Sequence, residues 1–506
     1  MSLYQQLADE IAASVRNGSW TTGERMPSVR QLSRERGVSA ATVIRAYEQL
    51  EEQGFIESMP RSGYYVSAYW RERPPETTTN HPPSGATRLE VDEVVFEVLD
   101  AVRNPHIVPF GSAFPSPDLF PVKTLARSLN LSARRSDPWR SVKDLGWGSW
   151  ELRRQIARRY VRYGAHVSAE EIVITSGAME ALNLSLQALA RPGDAVAIES
   201  PTFYGCLQAI EALGLRAVEI PTSPRYGVEL DALDKVLQKE TVRACWFMTT
   251  FQNPTGACMP DRSKRELVRL IEKYEVPLIE DNVYAEMYFG GDRPALTKAF
   301  DRRGLVLDCG SFSKCLAPGY RVGWIAAGKF ARSIERRKLM STLATSVPMQ
   351  DAIATFVRRA AYDRHLRGLR RALANQQTAM LQSLDRNLAG RFSVTRPNGG
   401  YFLWIEMPSG MDSVALHRLA LSQGLCIAPG PIFSARREFK NCIRLNYGHP
   451  WSARQERAMR DLADGVTTAV PGQVSRAEVA GFPSAVKPST PAAQSGPSPP
   501  RAPSAS

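Results

Sequence analysis

Ser311-Phe312-Ser313-Lys314, followed by Pro318-Gly319-Tyr320-Arg321-Val322-Gly323, is the stretch from which the rest of this 506-residue chain can be read. A lysine stands beside two serines, and an arginine follows seven residues later. A lysine amine becomes a nucleophile when its site lowers its pKa. An arginine's planar fork matches phosphate oxygens. Upstream come Asn253-Pro254-Thr255-Gly256 and then Glu280-Asp281-Asn282-Val283-Tyr284. Short apolar runs at 172–174, 195–198, 245–248, 277–279 and 306–307 recur between helical patterns. That rhythm predicts an α/β fold with a mainly parallel sheet over residues 89–463, and the polar clusters fall at its strand ends.

Working outward, the bulk properties describe a soluble multidomain chain. Hydrophobic residues make up 43% and charged residues 23%, which suits a globular protein. No apolar run approaches the roughly 20 residues of a membrane span, so no membrane partner is expected. The first residues lack a basic region followed by an apolar one, and the seven cysteines include no Cys-x-x-Cys pair. Both observations point to the reducing cytoplasm. The six histidines have no ligand spacing, so no metal is expected. Net charge is +13, a balance that suits a polyanion. Through Trp70, however, there are seven arginines, no lysine and eight acids. The surplus therefore lies beyond residue 70, in runs such as Arg358-Arg359-Arg364-Arg367-Arg370-Arg371. These read either as solvated helix faces or as a surface that touches DNA phosphates.

The first seventy residues form their own pattern. Leu3, Leu7, Ile11 and Val15 share one helical face. Ser28 caps a helix that Gly37 ends, and Ser39 caps another that runs to about residue 53. The short interval between them is the turn of a helix-turn-helix. Residues 55–58 and 63–67 alternate as a β-hairpin. Residues 70–88 are rich in Pro and Thr and read as a flexible linker. The Pro/Ser/Ala-rich segment 464–506 reads as disordered.

Glu24-Arg25-Met26-Pro27-Ser28-Val29-Arg30, Gly37-Val38-Ser39-Ala40-Ala41-Thr42-Val43 and Arg61-Ser62-Gly63-Tyr64 together resemble the winged helix-turn-helix of the GntR family over residues 1–69. The resemblance implies DNA contacts from Arg30, Ser39, Thr42, Arg45, Arg61 and Gly63. Ala40, Ala41 and Ile44 stand where the family often has arginine or threonine.

The clusters of residues 89–463 resemble the pyridoxal-phosphate (PLP) site of fold-type I, class I/II aminotransferases. In that resemblance Lys314 bonds covalently to the PLP aldehyde, and Asp281 pairs with the pyridinium nitrogen. Asn253 and Tyr284 bond the phenolic oxygen. Arg321, Ser311 and the backbone of Gly177, Ala178 and Met179 bind the phosphate. Phe203 stacks on the ring, with Tyr204 as its rival. Arg444, in Ile443-Arg444-Leu445-Asn446, grips an α-carboxylate.

The order of parts, an α+β winged helix-turn-helix followed by an α/β PLP-dependent transferase domain, resembles the MocR subfamily of bacterial regulators. The resemblance implies a homodimeric transcriptional regulator that binds promoter DNA and senses PLP and an amino acid or amine effector. The alternative is an active aminotransferase with an accessory winged helix.

Overall fold

The computed structural model describes residues 3–468, apart from 22, 53, 60–62, 68–75, 84, 90–92, 135–138, 291–292, 360 and 389–391. The tail beyond 468 lies outside the described residues, as do Arg61 and the turn of the expected hairpin. No helix among the described residues is long and apolar enough to cross a membrane.

The N-terminal unit contains α1 (Leu3–Arg16), α2 (Val29–Arg36), α3 (Ala40–Glu52) and the antiparallel strands β1 (Ile56–Met59) and β2 (Gly63–Val66). Leu7, Ile11 and Val15 pack with Leu32, Val43, Tyr47, Leu50, Ile56 and Val66 in one small core. Leu3 departs from the expected face. It is 66% exposed on the first turn, and Tyr4 packs against the core in its place. Ser28 Oγ accepts from the Gln31 N–H at 3.2 Å, and Ser39 Oγ accepts from the Thr42 N–H at 3.1 Å. Gly37, at φ 64°, closes α2 in the left-handed conformation that glycine adopts freely. The Tyr47 hydroxyl donates to the Pro27 carbonyl at 2.8 Å and ties α3 to the turn before α2.

The large domain is built on β3 (Ile172–Thr175), β4 (Ala195–Ser200), β5 (Arg216–Ser223), β6 (Val242–Phe247), β7 (Leu278–Asp281), β8 (Val306–Ser311) and β9 (Gly323–Ala326). Their order in the sheet is β5-β4-β6-β7-β8-β9-β3. Pairings from β5 through β8 are parallel, and β9 runs antiparallel to both β8 and β3. Strands β3, β4, β7 and β8 are buried along their whole length, which explains the short apolar runs with which they begin. The antiparallel return of β9 has a local consequence. It turns the loop 312–322 back at the edge where the parallel strands end. The register then sets Ser311 opposite Gly323, and Gly323 opposite Thr175.

After the long helix α5 (Ala361–Leu388), a smaller antiparallel sheet pairs β10 (Phe402–Glu406) with β11 (Cys442–Asn446), Trp404 opposite Arg444. The last helix among the described residues, α6 (Ala453–Thr468), continues past the domain end expected at 463.

The expected free linker needs correction in its described residues. Thr87 and Arg88 add a short antiparallel strand to β5. Asn80 bridges to Thr222 and donates to Glu438 at 2.5 Å. The Thr78 N–H donates to Glu406 at 3.2 Å. An open sheet edge offers unpaired N–H and C=O groups, and this segment satisfies some of them.

Candidate functional site

The expected site residues converge where the parallel strands end. Asp281 closes β7, Ser311 closes β8, and Gly177 follows β3. Asn253 lies beyond β6, and Phe203 beyond β4. Lys314 and Arg321 both lie in the turn between β8 and β9.

Lys314 Nζ donates to the Ala113 carbonyl at 2.8 Å and sits 3.6 Å from the centre of the Phe114 ring. Burial, and next the Arg444 charge, push its pKa down to about 7, against the pull of Asp281. The Asp281 carboxyl is 2% exposed, and burial raises it to about 7. Its Oδ1 accepts from the Val283 N–H at 3.4 Å, and among the described residues no lysine or arginine forms an ion pair with it. Tyr284 is buried edge-on to Tyr401 and Phe402.

Arg321 reaches across the sheet edge. Its Nη1 donates to Ser313 Oγ at 3.2 Å and its Nη2 to the Ser176 carbonyl at 3.3 Å. Its own φ is 51°, a left-handed conformation that costs a non-glycine residue on the order of 1 kcal/mol and clusters at functional sites. Gly177, at φ 94°, is the N-cap of α4 (Ala178–Leu189), and a Cβ there would fall on the Arg321 guanidinium. The first amides of α4, from Ala178 and Met179, have no partner within the helix and face the same corner. Ser311 Oγ donates to the Val322 carbonyl at 3.3 Å and accepts from the Ser313 N–H at 3.0 Å. Ser313, not Ser311, is therefore the serine bonded to the arginine.

Arg444 is fully buried. Its Nη1 donates to Asn253 Oδ1 at 2.9 Å, and its Nη2 donates to the carbonyls of Gly111 at 2.5 Å and Ser112 at 3.2 Å. The guanidinium lies 4.4 Å from the Phe402 ring centre and 5.1 Å from that of Phe433. Among the described residues no carboxylate pairs with it, and its Nε has no partner. Asn253 Nδ2 is likewise buried without an acceptor. Tyr204 is buried against Phe433 at 5.9 Å, while Phe203 stands half-buried beside it at 4.7 Å.

Sequence reasoning missed the segment 110–114. Its backbone carbonyls receive Lys314, Arg444, Tyr401 and Asn446. Backbone acceptors leave no mark in side-chain identity, so no signal announced it. The Ser313 contact was legible in principle, since Ser-x-Ser-Lys offers two hydroxyls.

In the N-terminal unit Arg30, Ser39 and Arg45 are exposed, with Ala40, Ala41 and Ile44 on the same side of α3 as Ser39 and Arg45. The Ser39 and Thr42 hydroxyls lie 2.8 Å apart. Arg45 rests 5.8 Å from the Tyr4 ring centre. Gly63 opens β2, and the Arg25 guanidinium lies 3.7 Å from where its Cβ would stand. Arg25 is a neighbour of the hairpin that was not singled out.

Comparison with known proteins agrees with this layout. The model for bacterial regulatory proteins of the gntR family matches residues 3–66, and that for class I and II aminotransferases matches residues 146–460. An uncharacterized HTH-type transcriptional regulator of Escherichia coli K12, YdcR, is 44% identical over 462 residues, covering 91% of this chain and 98% of the relative. The chain belongs to the GntR-type regulators that carry an aminotransferase domain, the MocR arrangement. Among solved structures, this regulator is similar to the Pyrococcus horikoshii kynurenine aminotransferase (29% identity, TM-score 0.69, 75% of this chain and 95% of that one). It is also similar to the Thermus thermophilus α-aminoadipate aminotransferase LysN complexed with N-(5'-phosphopyridoxyl)-L-leucine (29% identity, TM-score 0.67, 76% and 96%).

The cofactor of this regulator's large domain is PLP, which when bound supplies an electron-withdrawing ring and an aldehyde. The residues present fit it. A buried carboxyl without a basic ion-pair partner, Asp281, suits a pyridinium N–H. The unpaired Asn253 Nδ2 suits an anionic phenolic oxygen. The corner made by Arg321, Ser313, Gly177 and the start of α4 is cationic and rich in N–H donors, which suits a phosphate.

Proposed function

We propose that this regulator uses its aminotransferase-like domain to sense PLP together with an α-amino acid, and transmits occupancy to its DNA-binding unit. The observation that carries the amino acid is Arg444. A guanidinium held in an apolar interior costs several kcal/mol unless paired. Arg444 is offered only neutral acceptors, next to a lysine that binds the cofactor, so an α-carboxylate is the missing partner.

In this reading Lys314 holds PLP covalently, Asp281 bonds the ring nitrogen, and Asn253 and Tyr284 bond the phenolic oxygen. Arg321, Ser311 and the amides of Gly177, Ala178 and Met179 hold the phosphate, and Phe203 covers the ring. An amino acid that took the place of Lys314 on the cofactor would leave the lysine amine free, the state in which Nζ donates to the Ala113 carbonyl. Any difference in DNA affinity between the two states then shifts binding. DNA is contacted by Arg30, Ser39, Thr42, Arg45, Arg61 and Gly63, and two copies of the chain supply two such units.

The second reading, turnover as an aminotransferase, is favoured by one observation. A lysine with its pKa near 7 is substantially neutral at physiological pH and can act as a general base. Incubating the PLP-loaded protein with a panel of amino acids separates the two. A change in PLP absorbance without 2-oxo acid release supports sensing. Continued 2-oxo acid production supports the enzyme. No spectral response to any amino acid or amine would defeat both.

A further inference from the structure

The exposed side of α5 reads Arg364, Arg367, Gly368, Arg371, Asn375 and Thr378. Positions three and four apart share a helix face, so this is one continuous stripe without an acid in it. The remaining arginines of α5 are paired with acids: Arg370 with Glu286 at 3.1 Å, and Arg386, farther along the same exposed side, with Glu456 at 3.2 Å. The nearby acid Asp363 is taken by Arg159 at 3.1 Å and Arg162 at 2.7 Å. Arg364, Arg367 and Arg371 have no acidic partner among the described residues. Exposed Arg358 and Arg359 precede the helix and add to the same charge. Gly368, in the middle of the stripe, has nothing within 4 Å of where a Cβ would stand. A mid-helix glycine costs about 1 kcal/mol relative to alanine, yet here it leaves a gap between arginines through which a backbone can approach.

We propose that this stripe is a second DNA contact, gripping the phosphate backbone beside the site read by the winged helix. The proposal rests on the reading of the chain as a DNA-binding regulator and adds a surface on the aminotransferase-like domain. Two quantities favour DNA as the occupant. Phosphate neutralisation supplies most non-specific DNA affinity, yet the first seventy residues carry seven arginines against eight acids. The chain's excess of +13 therefore lies outside its DNA-binding unit. Arg364 and Arg371 are also separated by about 10 Å along the helix at 1.5 Å per residue. Along the DNA axis that length spans about three steps of 3.4 Å on one strand, so several phosphates fall within the span of the three arginines.

The test is the salt dependence of binding by the full-length, PLP-loaded protein to a labelled 80-base-pair duplex, for wild type and for the triple variant Arg364→Glu, Arg367→Glu, Arg371→Glu. Each neutralised phosphate adds about 0.9 to the slope of log affinity against log salt. The variant's slope is expected to be shallower by about 2–3 per bound chain. Between 50 and 200 mM salt the wild type then loses about forty-fold more affinity than the variant. Retained PLP absorbance shows that the variant is folded, and a Gln triple variant should fall between the two. Equal slopes for wild type and variant overturn the proposal while leaving the regulator reading intact. Failure of the wild type to bind the duplex at any salt would sink the regulator reading itself. Loss of binding confined to phosphatidylserine vesicles, with DNA affinity unchanged, also overturns the proposal and assigns the stripe to a membrane surface.

Discussion

Replacing Arg444 with alanine tests the proposal that the large domain takes an amino acid beside its cofactor. The guanidinium donates to Asn253, Gly111 and Ser112 and leaves Nε unpaired in a fully buried position. An amino acid carboxylate would receive charge-assisted bonds, which contribute about 1.5–3 kcal/mol each. Loss of a two-bond grip therefore costs about 3 kcal/mol or more, a weakening of at least ~100-fold in amino acid affinity. Folding should suffer less. Asn253 Oδ1 and the Gly111 carbonyl lose their donor, at about 1–3 kcal/mol each, while the Ser112 carbonyl keeps its bond from Asn446. A buried cation without a counter-charge is removed at the same time, and that offsets much of the loss. The assay is titration of bound PLP absorbance with amino acids and with the corresponding amines that lack a carboxylate. Arg444→Ala should bind PLP normally, lose the amino acid response and keep the amine response. Arg444→Lys should recover part of the loss, since it restores charge but not the fork. Unchanged amino acid affinity in Arg444→Ala would refute the carboxylate assignment.

Further predictions address the cofactor. Lys314→Ala should retain the fold and lose the covalent bond to PLP, checked by borohydride reduction and peptide mass spectrometry. The same variant tests linkage in the PLP-free protein. Lys314 has a folded pKa near 7, below its ordinary 10.5, so between those values the unfolded chain binds the extra proton. Its contribution to stability is present at high pH and is lost as pH falls from about 10 to 7, and thermal melts of Lys314→Ala should lack that component. Asp281 works in the opposite sense. Its carboxyl, raised to about 7, holds a proton in the folded state between pH 4 and 7, so stability falls as pH rises through that window. Asp281→Asn should flatten this trend and weaken PLP binding by about tenfold or more, read by equilibrium dialysis. Gly177→Ala should displace the Arg321 guanidinium and strain a backbone at φ 94°, lowering PLP affinity about tenfold with a loss of stability of about 1 kcal/mol.

Much of this site was legible because its chemistry is carried by rare residue types at strand ends. Lys314, Asp281, Asn253 and Arg321 each stand out against apolar runs, and a parallel sheet brings its strand ends to one edge. The antiparallel turn of β9 was not legible, since periodicity does not give strand direction. That turn brings Ser313 to Arg321. Nor was the segment 110–114, whose contribution is carbonyl oxygens. The linker was misread because polar, proline-rich composition signals poor burial, whereas the described part of this segment is held by hydrogen bonds to an open sheet edge. In the helix-turn-helix the caps Ser28 and Ser39 announced themselves, while the exposed Leu3 shows that a face pattern does not say where its core ends.

The central claim is that amino acid occupancy and DNA binding are coupled. Coupling between two ligands is reciprocal in free energy. The direct measurement is the titration of the PLP spectrum of the full-length protein by its most responsive amino acid, with and without saturating DNA from beside its own gene. The account predicts apparent affinities that differ by about fivefold or more between the two curves. Superimposable curves, with DNA verifiably bound, would contradict it.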